Sequence, residues 1–273
     1  MTSSSSAHKK GITLSLIGIG CGDPKQLTLA AIRAINAADL ILIPRKGEEK
    51  SELAELRRTI CTDVLANDKT RIVAFDLPAR DAGRDDYLGG VNDWHDAVAA
   101  TWSREIKMHL GHQGRVALLI WGDPSLYDSS LRIARRLDPM PDIEVVPGVT
   151  SIQALCAAHA LPVNEIGAAF LVTTGRTLRE DGWPAGVDTV VVMLDGGAAF
   201  QSLDPEGLEI WWGAYLGMPN EILMSGALTD VGPRIAAARS TARERHGWIM
   251  DSYILKRSSQ AISDNKKAEP HVT

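Results

Sequence analysis

The stretch LSLIGIGCGDPKQLTLAAIRAINAADLILIPRK, residues 14–46, constrains the fold more than any other part of the chain. An apolar run enters a glycine cluster, a segment with Ala, Ile and Leu at helical spacing follows, and a second apolar run closes it. That order spells strand, tight loop, helix and strand, a crossover that places the two strands parallel in one sheet. The glycines then limit what the loop can hold. Gly18, Gly20 and Gly22 alternate, but Asp23 stands where a dinucleotide fingerprint needs its third glycine. A carboxylate there would point at a pyrophosphate seated on the helix start. The acidic ribose ligand is missing as well, since the second apolar run ends in Pro44, Arg45 and Lys46. The sequence contains no G-x-x-x-x-G-K-[ST] loop. A nicotinamide-dependent reductase is therefore disfavoured, and the loop reads as a close-approach site for a ligand without a phosphate chain.

Two more turns of the same kind follow. WGDPSLYDSS (121–130) and VVPGVTSIQA (145–154) each leave a predicted strand and open a predicted helix. In a parallel sheet such turns gather at the carboxyl ends of the strands. One Gly-Asp-Pro is ordinarily only a turn, whereas three turns in register describe a ligand site. Thr150 with Gln153 three residues on forms a capping-box pattern, with Ile152, Leu155 and Cys156 turned inward. Val98, Trp102, Ile106 and Leu110 recur every four residues and predict a helix before the strand RVALLIWGDP. Beyond Pro162 come five extended segments, at 168–176, 188–196, 208–217, 221–228 and 247–257, with helices expected near 197–203 and 231–245. The expected fold class is α/β with two domains and a ligand cleft between them. Residues 11–163 form an N-terminal domain on a mostly parallel sheet and residues 164–257 a C-terminal domain on a mixed one. The polar segments 1–10 and 258–273 are expected to be disordered tails.

Composition excludes several function classes. At 273 residues and 45% hydrophobic the chain can bury a substantial core, and a net charge of -5 supplies no general field for nucleic acid. Cys21, Cys61 and Cys156 lie far apart, without a C-x-x-C pair or a histidine cluster, so neither a disulfide framework nor a metal site is expected. No apolar run approaches the roughly 18 residues of a spanning helix, and the first ten residues lack a signal-peptide core. A soluble, cytoplasmic protein with no membrane partner is the expectation.

The ordered set of the three turns, with AADLILIP after the first helix, resembles the tetrapyrrole methylase family from about Thr13 to Arg257. The resemblance implies two α/β domains and S-adenosylmethionine as methyl donor, leaving as S-adenosylhomocysteine. Within the family, IWWGAYLGMPNEILMSG and RERHGWIMDSYILKR are most similar to members of the aerobic cobalamin pathway that methylate C1 of precorrin-5 and expel its acetyl group as acetate. Carried over by motif, donor contacts fall on Trp121, Gly122 and Asp123, on Thr150 and Ser151, on Met193 or Leu194, on Ala227 and on Trp248. Cys21 stands in the first donor loop where many members read Gly-Pro-Gly-Asp-Pro, and it reads as a small apolar filler. Pro44 replaces an aspartate found in relatives acting on uroporphyrinogen, so no acid-base role transfers there. A substrate with many carboxylates needs local cations, for which Arg45, Lys46 and Arg176 are the candidates. Removing an acetyl group needs a base or oxyanion donor, and Asp93, His95, Tyr127 and Asp195 are candidates by location. Residues 76–96 read as either a lid or a solvated loop. A homodimer is expected from the resemblance. Other readings are a family member acting elsewhere on the ring, or on protein or RNA, and a non-catalytic binding module.

Overall fold

The computed structural model describes residues 11–45, 51–79 and 86–257. Both expected tails, Lys46 and part of the expected lid lie outside the described residues. The described residues form two compact units, one from within 11–20 and 24–149, the other from 21–23 and 150–257.

The first unit holds a parallel sheet of β1 (Ile12–Gly18), β2 (Leu40–Arg45), β3 (Arg71–Asp76), β4 (Gly114–Ile120) and β5 (Asp142–Val146), in the order β3-β2-β4-β1-β5. Its helices are α1 (Leu29–Asn36), α2 (Ser51–Val64), α3 (Tyr87–Leu110) and α4 (Ser130–Ala134). Side chains alternate between faces along a strand, so the central strands feed two cores. Leu14, Leu16, Leu40, Leu42, Val116 and Leu118 pack with Val98, Trp102 and Ile106 of α3. Ile17, Ile41, Ile43, Ala117 and Leu119 pack on the other face with Ile35 of α1 and Ile60 and Cys61 of α2. Such two-sided burial explains why these strands read as continuous apolar runs.

The second unit contains α5 (Ser151–Ala158), β6 (Leu171–Thr174), α6 (Gly175–Asp181), β7 (Thr189–Met193), β8 (Leu208–Ala214), β9 (Ile222–Ala227), α7 (Leu228–His246) and β10 (Asp251–Arg257). The sheet order is β6-β7-β10-β8-β9, with only β6 and β7 parallel. Of the two helices expected after Pro162, the later one is α7, and near 197–203 the chain makes a 3-10 turn at Ala199–Ser202. The packing places α5 with this second sheet, earlier than the expected division near residue 163. Leu155 reaches the backbone of Gly213, and the Ser252 and Ser151 hydroxyls are 3.2 Å apart.

The connections of the first unit depend on three glycines. A Cβ on Gly148 would lie 2.2 Å from the Gly122 carbonyl oxygen and 2.8 Å from Gly18 Cα. A Gly→Ala change usually stabilises by about 0.4–1 kcal/mol through the unfolded chain. Here the clash is with backbone that cannot rotate away, and overpacking costs about 1–3 kcal/mol or more. Gly148→Ala should therefore lower the denaturation midpoint in urea, and a midpoint equal to or above the parent's would refute the close packing.

Candidate active site

The three turns meet as the sequence suggests. Gly20 and Gly122 form an isolated bridge, Gly122 N donating to Gly20 O at 2.8 Å and Gly20 N to Gly122 O at 3.3 Å. Asp123 then ties the second turn to the third. Its Oδ2 accepts from Gly148 N at 2.9 Å, and its Oδ1 accepts from Ser125 N at 2.8 Å and from the Ser125 hydroxyl. Burial raises the Asp123 pKa, but these donors outweigh it and hold the carboxylate below its ordinary range. With both oxygens engaged, Asp123 acts on its loops, leaving backbone to face a ligand. Tyr127 lies outside any helix. It precedes α4, in the left-handed region with φ 50°, and is 43% exposed.

Cys21 belongs to the second unit, where Gly22 packs against Met218 at a distance that would leave its Cβ 2.4 Å from Met218 Cγ. Burial pushes the Cys21 thiol up to about 12, so it is no thiolate at neutral pH, in keeping with a small filler. Thr150 caps α5, accepting from Ile152 N at 3.2 Å and donating its hydroxyl to Gln153 Oε1. Ile152 and Leu155 are buried, while Cys156 is only partly so.

At the end of β7, half-buried Met193 is followed by Leu194, which has φ 53° and a 65% exposed side chain. A non-glycine residue in that region costs on the order of 1–3 kcal/mol and persists where its surroundings impose it. Asp195 imposes it. Its Oδ1 accepts from Gly197 N at 3.0 Å and Arg179 Nη1 at 2.9 Å, and its Oδ2 from Ala199 N at 2.5 Å and Tyr253 Oη at 2.8 Å. Burial opposes ionisation, yet the four donors hold the carboxylate below its usual range. These donors occupy the lone pairs a base would need, so Asp195 is a positioning group. Arg239 extends the network, donating to the Asp195 carbonyl and from Nε to Asp251 Oδ2 at 2.7 Å.

Register sorts the remaining donor candidates. Ala214 pairs with Asp251 while Val192 pairs with Tyr253, so Met193, Leu194, Ala214 and the start of β10 share one edge of the second sheet. Trp248 sits just before β10 and packs edge-on against Tyr215 at 5.1 Å. Its indole Nε1 is buried and lacks a hydrogen-bond partner among the described residues, so it retains a donor for a ligand acceptor. Ala227 pairs with Glu209, which pairs with Lys256, at the opposite edge. The donor contact carried onto Ala227 by motif is thus not brought together with the others, and Ala214 is the alanine on Leu194's edge. Resemblance of short motifs missed this because strand direction is invisible in a motif.

Among cation candidates, Arg45 ends β2 in an exposed pair with Asp76 at 3.0 Å, and Arg176 is exposed in the first turn of α6. Asp93 is exposed on α3. His95, one residue before Asp96, is buried, and both ring nitrogens lack hydrogen-bond partners among the described residues. Burial lowers its pKa, Arg136 and Arg132 lower it further, and Asp96 opposes them. An unfolded histidine therefore takes a proton at higher pH than the folded one. Its stabilising contribution is complete above 6.5, the ordinary value, and is lost as pH falls towards the depressed folded value. His95→Phe should gain stability relative to the parent as pH drops through that window. Parallel profiles of melting temperature against pH for the two proteins would contradict this.

Comparison with known proteins bears on this arrangement. Residues 13–232 match the family model of tetrapyrrole (corrin/porphyrin) methylases. A precorrin-6A synthase (deacetylating) from Sinorhizobium sp is 44% identical over 248 residues, covering 89% of this chain and 95% of that one. The crystal structure of a cobalamin-synthesis-related protein, CobF, from Corynebacterium diphtheriae superposes with a TM-score of 0.77 at 37% identity, covering 90% of this chain and 99% of the other. A uroporphyrin-III C-methyltransferase from Thermus thermophilus, crystallised with S-adenosylhomocysteine, shares the fold with a TM-score of 0.53 at 22% identity, covering 89% and 97%.

Proposed function

This chain belongs to the tetrapyrrole (corrin/porphyrin) methylases, and on that footing we propose that it converts precorrin-5 to precorrin-6A, methylating C1 with S-adenosylmethionine and releasing the acetyl group as acetate. The observation that carries this reading is the joining of three glycine turns, the first to the second by the Gly20–Gly122 bridge and the second to the third by Asp123, in a chain similar over nearly its whole length to a precorrin-6A synthase. Donor contact is assigned to the backbone of Trp121, Gly122 and Asp123 and to Thr150, Ser151, Met193, Leu194 and Trp248. The Trp248 indole N–H, which lacks a hydrogen-bond partner among the described residues, and the left-handed Leu194 support this assignment.

When bound, the donor supplies an electrophilic methyl group that carries its own leaving group. The chain's task is to hold backbone still and exclude water, which loops clamped by a buried aspartate perform without a covalent residue. Acetyl removal adds a demand. Water must add to the ketone carbon, and the electrons of the broken carbon-carbon bond must be left on C1. Tyr127, on the turn that follows β4, is the candidate donor to the oxyanion formed in that addition, since a phenol is protonated at neutral pH. Arg45, Arg176 and Lys46 remain candidates for the ring's carboxylates. A cytoplasmic homodimer needing neither nucleic acid nor membrane belongs to the same proposal, and no helix of the described residues is long and apolar enough to cross a membrane.

Incubation with S-adenosylmethionine and precorrin-5 should yield acetate and a product that has gained a methyl group and lost an acetyl group by mass. Methyl gain without acetate would keep the family chemistry and reject this reaction. Tyr127→Phe should slow acetate formation by roughly 10²–10³-fold with donor affinity retained, and an unchanged rate would remove Tyr127 from the mechanism.

A further inference from the structure

A cavity of about 180 Å³ opens where β2, β3 and β4 end, between the sheet and helix α3, wholly inside the first unit. Pro44, Phe75, Trp94, Trp102 and Trp121 contribute apolar wall, and Arg57 of α2 is its cation. The guanidinium is held from behind. Its Nε donates to Leu119 O and its Nη1 to Leu53 O, each at 2.9 Å, so three of its five N–H groups have no partner among the described residues. Burial lowers it to about 10, which leaves it a cation at neutral pH. Trp102 is 4% exposed, and its Nε1 lacks a hydrogen-bond partner among the described residues. Trp94 differs, donating its Nε1 to Pro78 O at 2.9 Å. Asp128 also lines the cavity and favours the Arg57 charge, yet its Oδ1 is turned to Ser130 N at 2.6 Å and no ion pair joins it to Arg57 among the described residues.

The cavity therefore offers a fixed cation and apolar walls, and the buried Trp102 indole, whose N–H lacks a partner among the described residues, is one of its lining groups. A ligand that answers all three is a carboxylate on a short apolar stem. Volume narrows the choice further, because pockets for whole ligands run to about 300–1,000 Å³, so this space takes one side arm and not a macrocycle. We propose that the cavity is a subsite for a small carboxylate, with the Arg57 guanidinium and the Trp102 indole as its donors. Resting on the reaction proposed above, the occupant is either an acetate- or propionate-type arm of the ring or the acetate released from it.

The test begins with the full-length protein, without donor or ring. Sodium acetate and sodium propionate are titrated to about 100 mM at constant ionic strength while tryptophan fluorescence is followed, with acetamide as the uncharged control. Both anions should give a saturable change and acetamide none. Arg57→Gln should abolish the change, Arg57→Lys should weaken it by keeping the charge without the fork, and Trp102→Phe should weaken it by removing one donor. Turnover separates the two sources. For a ring arm, Arg57→Gln raises KM roughly 10- to 100-fold with kcat nearly kept, and acetate competes with the ring. For released acetate, KM is unchanged and product inhibition by acetate disappears. No anion-dependent change in the parent, or parental titrations in both Arg57→Gln and Trp102→Phe with parental circular dichroism, would overturn the subsite. Turnover is not needed for the titration, so a silent titration with normal turnover rejects the subsite alone, and anion binding without turnover rejects the reaction alone.

Discussion

The structure rests on the approach of three backbones at Gly18, Gly122 and Gly148. Strand order puts β1 between β4 and β5, so the loops leaving these three strands must turn in the same small space. Only positions without a Cβ let them touch, as the 2.2–2.8 Å that a side-chain carbon would find makes plain. Contact alone would leave the spacing soft, and the Asp123 carboxylate fixes it by accepting from Gly148 N and Ser125 N. The rigid part of the candidate site is accordingly backbone, which suits a ligand that must be oriented more than it must be ionised.

The second unit solves the same problem with the same parts. Asp195 follows β7 as Asp123 follows β4, and its carboxylate gathers the amides of Gly197 and Ala199. A Cβ on Gly175 would stand 2.2 Å from an Asp195 carboxylate oxygen, as close as one on Gly148 would come to the Gly122 carbonyl. Each loop also holds a non-glycine residue in the left-handed region, Leu194 directly before Asp195 and Tyr127 four residues after Asp123. A buried charge is tolerated only when paired and hydrogen-bonded. Arg179, Tyr253 and Arg239 with Asp251 meet that condition around Asp195. The strained Leu194 thus adjoins a network that holds loop backbone through four hydrogen bonds to one carboxylate.

Sequence made the two-sided strands and the three turns legible because each depends on local chemistry, apolar runs for burial on both faces and glycine for close approach. Strand β3 and helix α2 escaped for the opposite reason. RIVAFD is an edge strand with only Phe75 buried, and α2 interrupts its apolar positions with Glu52, Glu55, Arg57, Arg58 and Asp63. Ala227 shows a different limit, since a motif gives neighbours along the chain and leaves open at which end of a sheet they finish. Arg57 did leave a trace. It lies three residues after Ala54 and four before Cys61, both buried, and so on the inner face of α2, where an arginine is out of place unless something receives its charge. Read as periodicity, RR in SELAELRRTICTDV looks like a solvated pair, yet one member turns inwards and its neighbour Arg58 bonds Glu55 at the surface.

That split also reconciles an acidic chain with an anionic substrate. A net charge of -5 spread over the surface is damped within about 8 Å at physiological ionic strength, so it neither attracts nor strongly repels a ring carboxylate in contact with the protein. Exposed cations such as Arg45, already beside Asp76, are damped in the same way. An inward guanidinium braced by two carbonyls is not, because little solvent lies between it and a group entering its cavity. Under the subsite proposed above, recognition of a ring carboxylate thus depends on the inward-turned Arg57, and the overall balance of Asp, Glu, Lys and Arg says almost nothing about it.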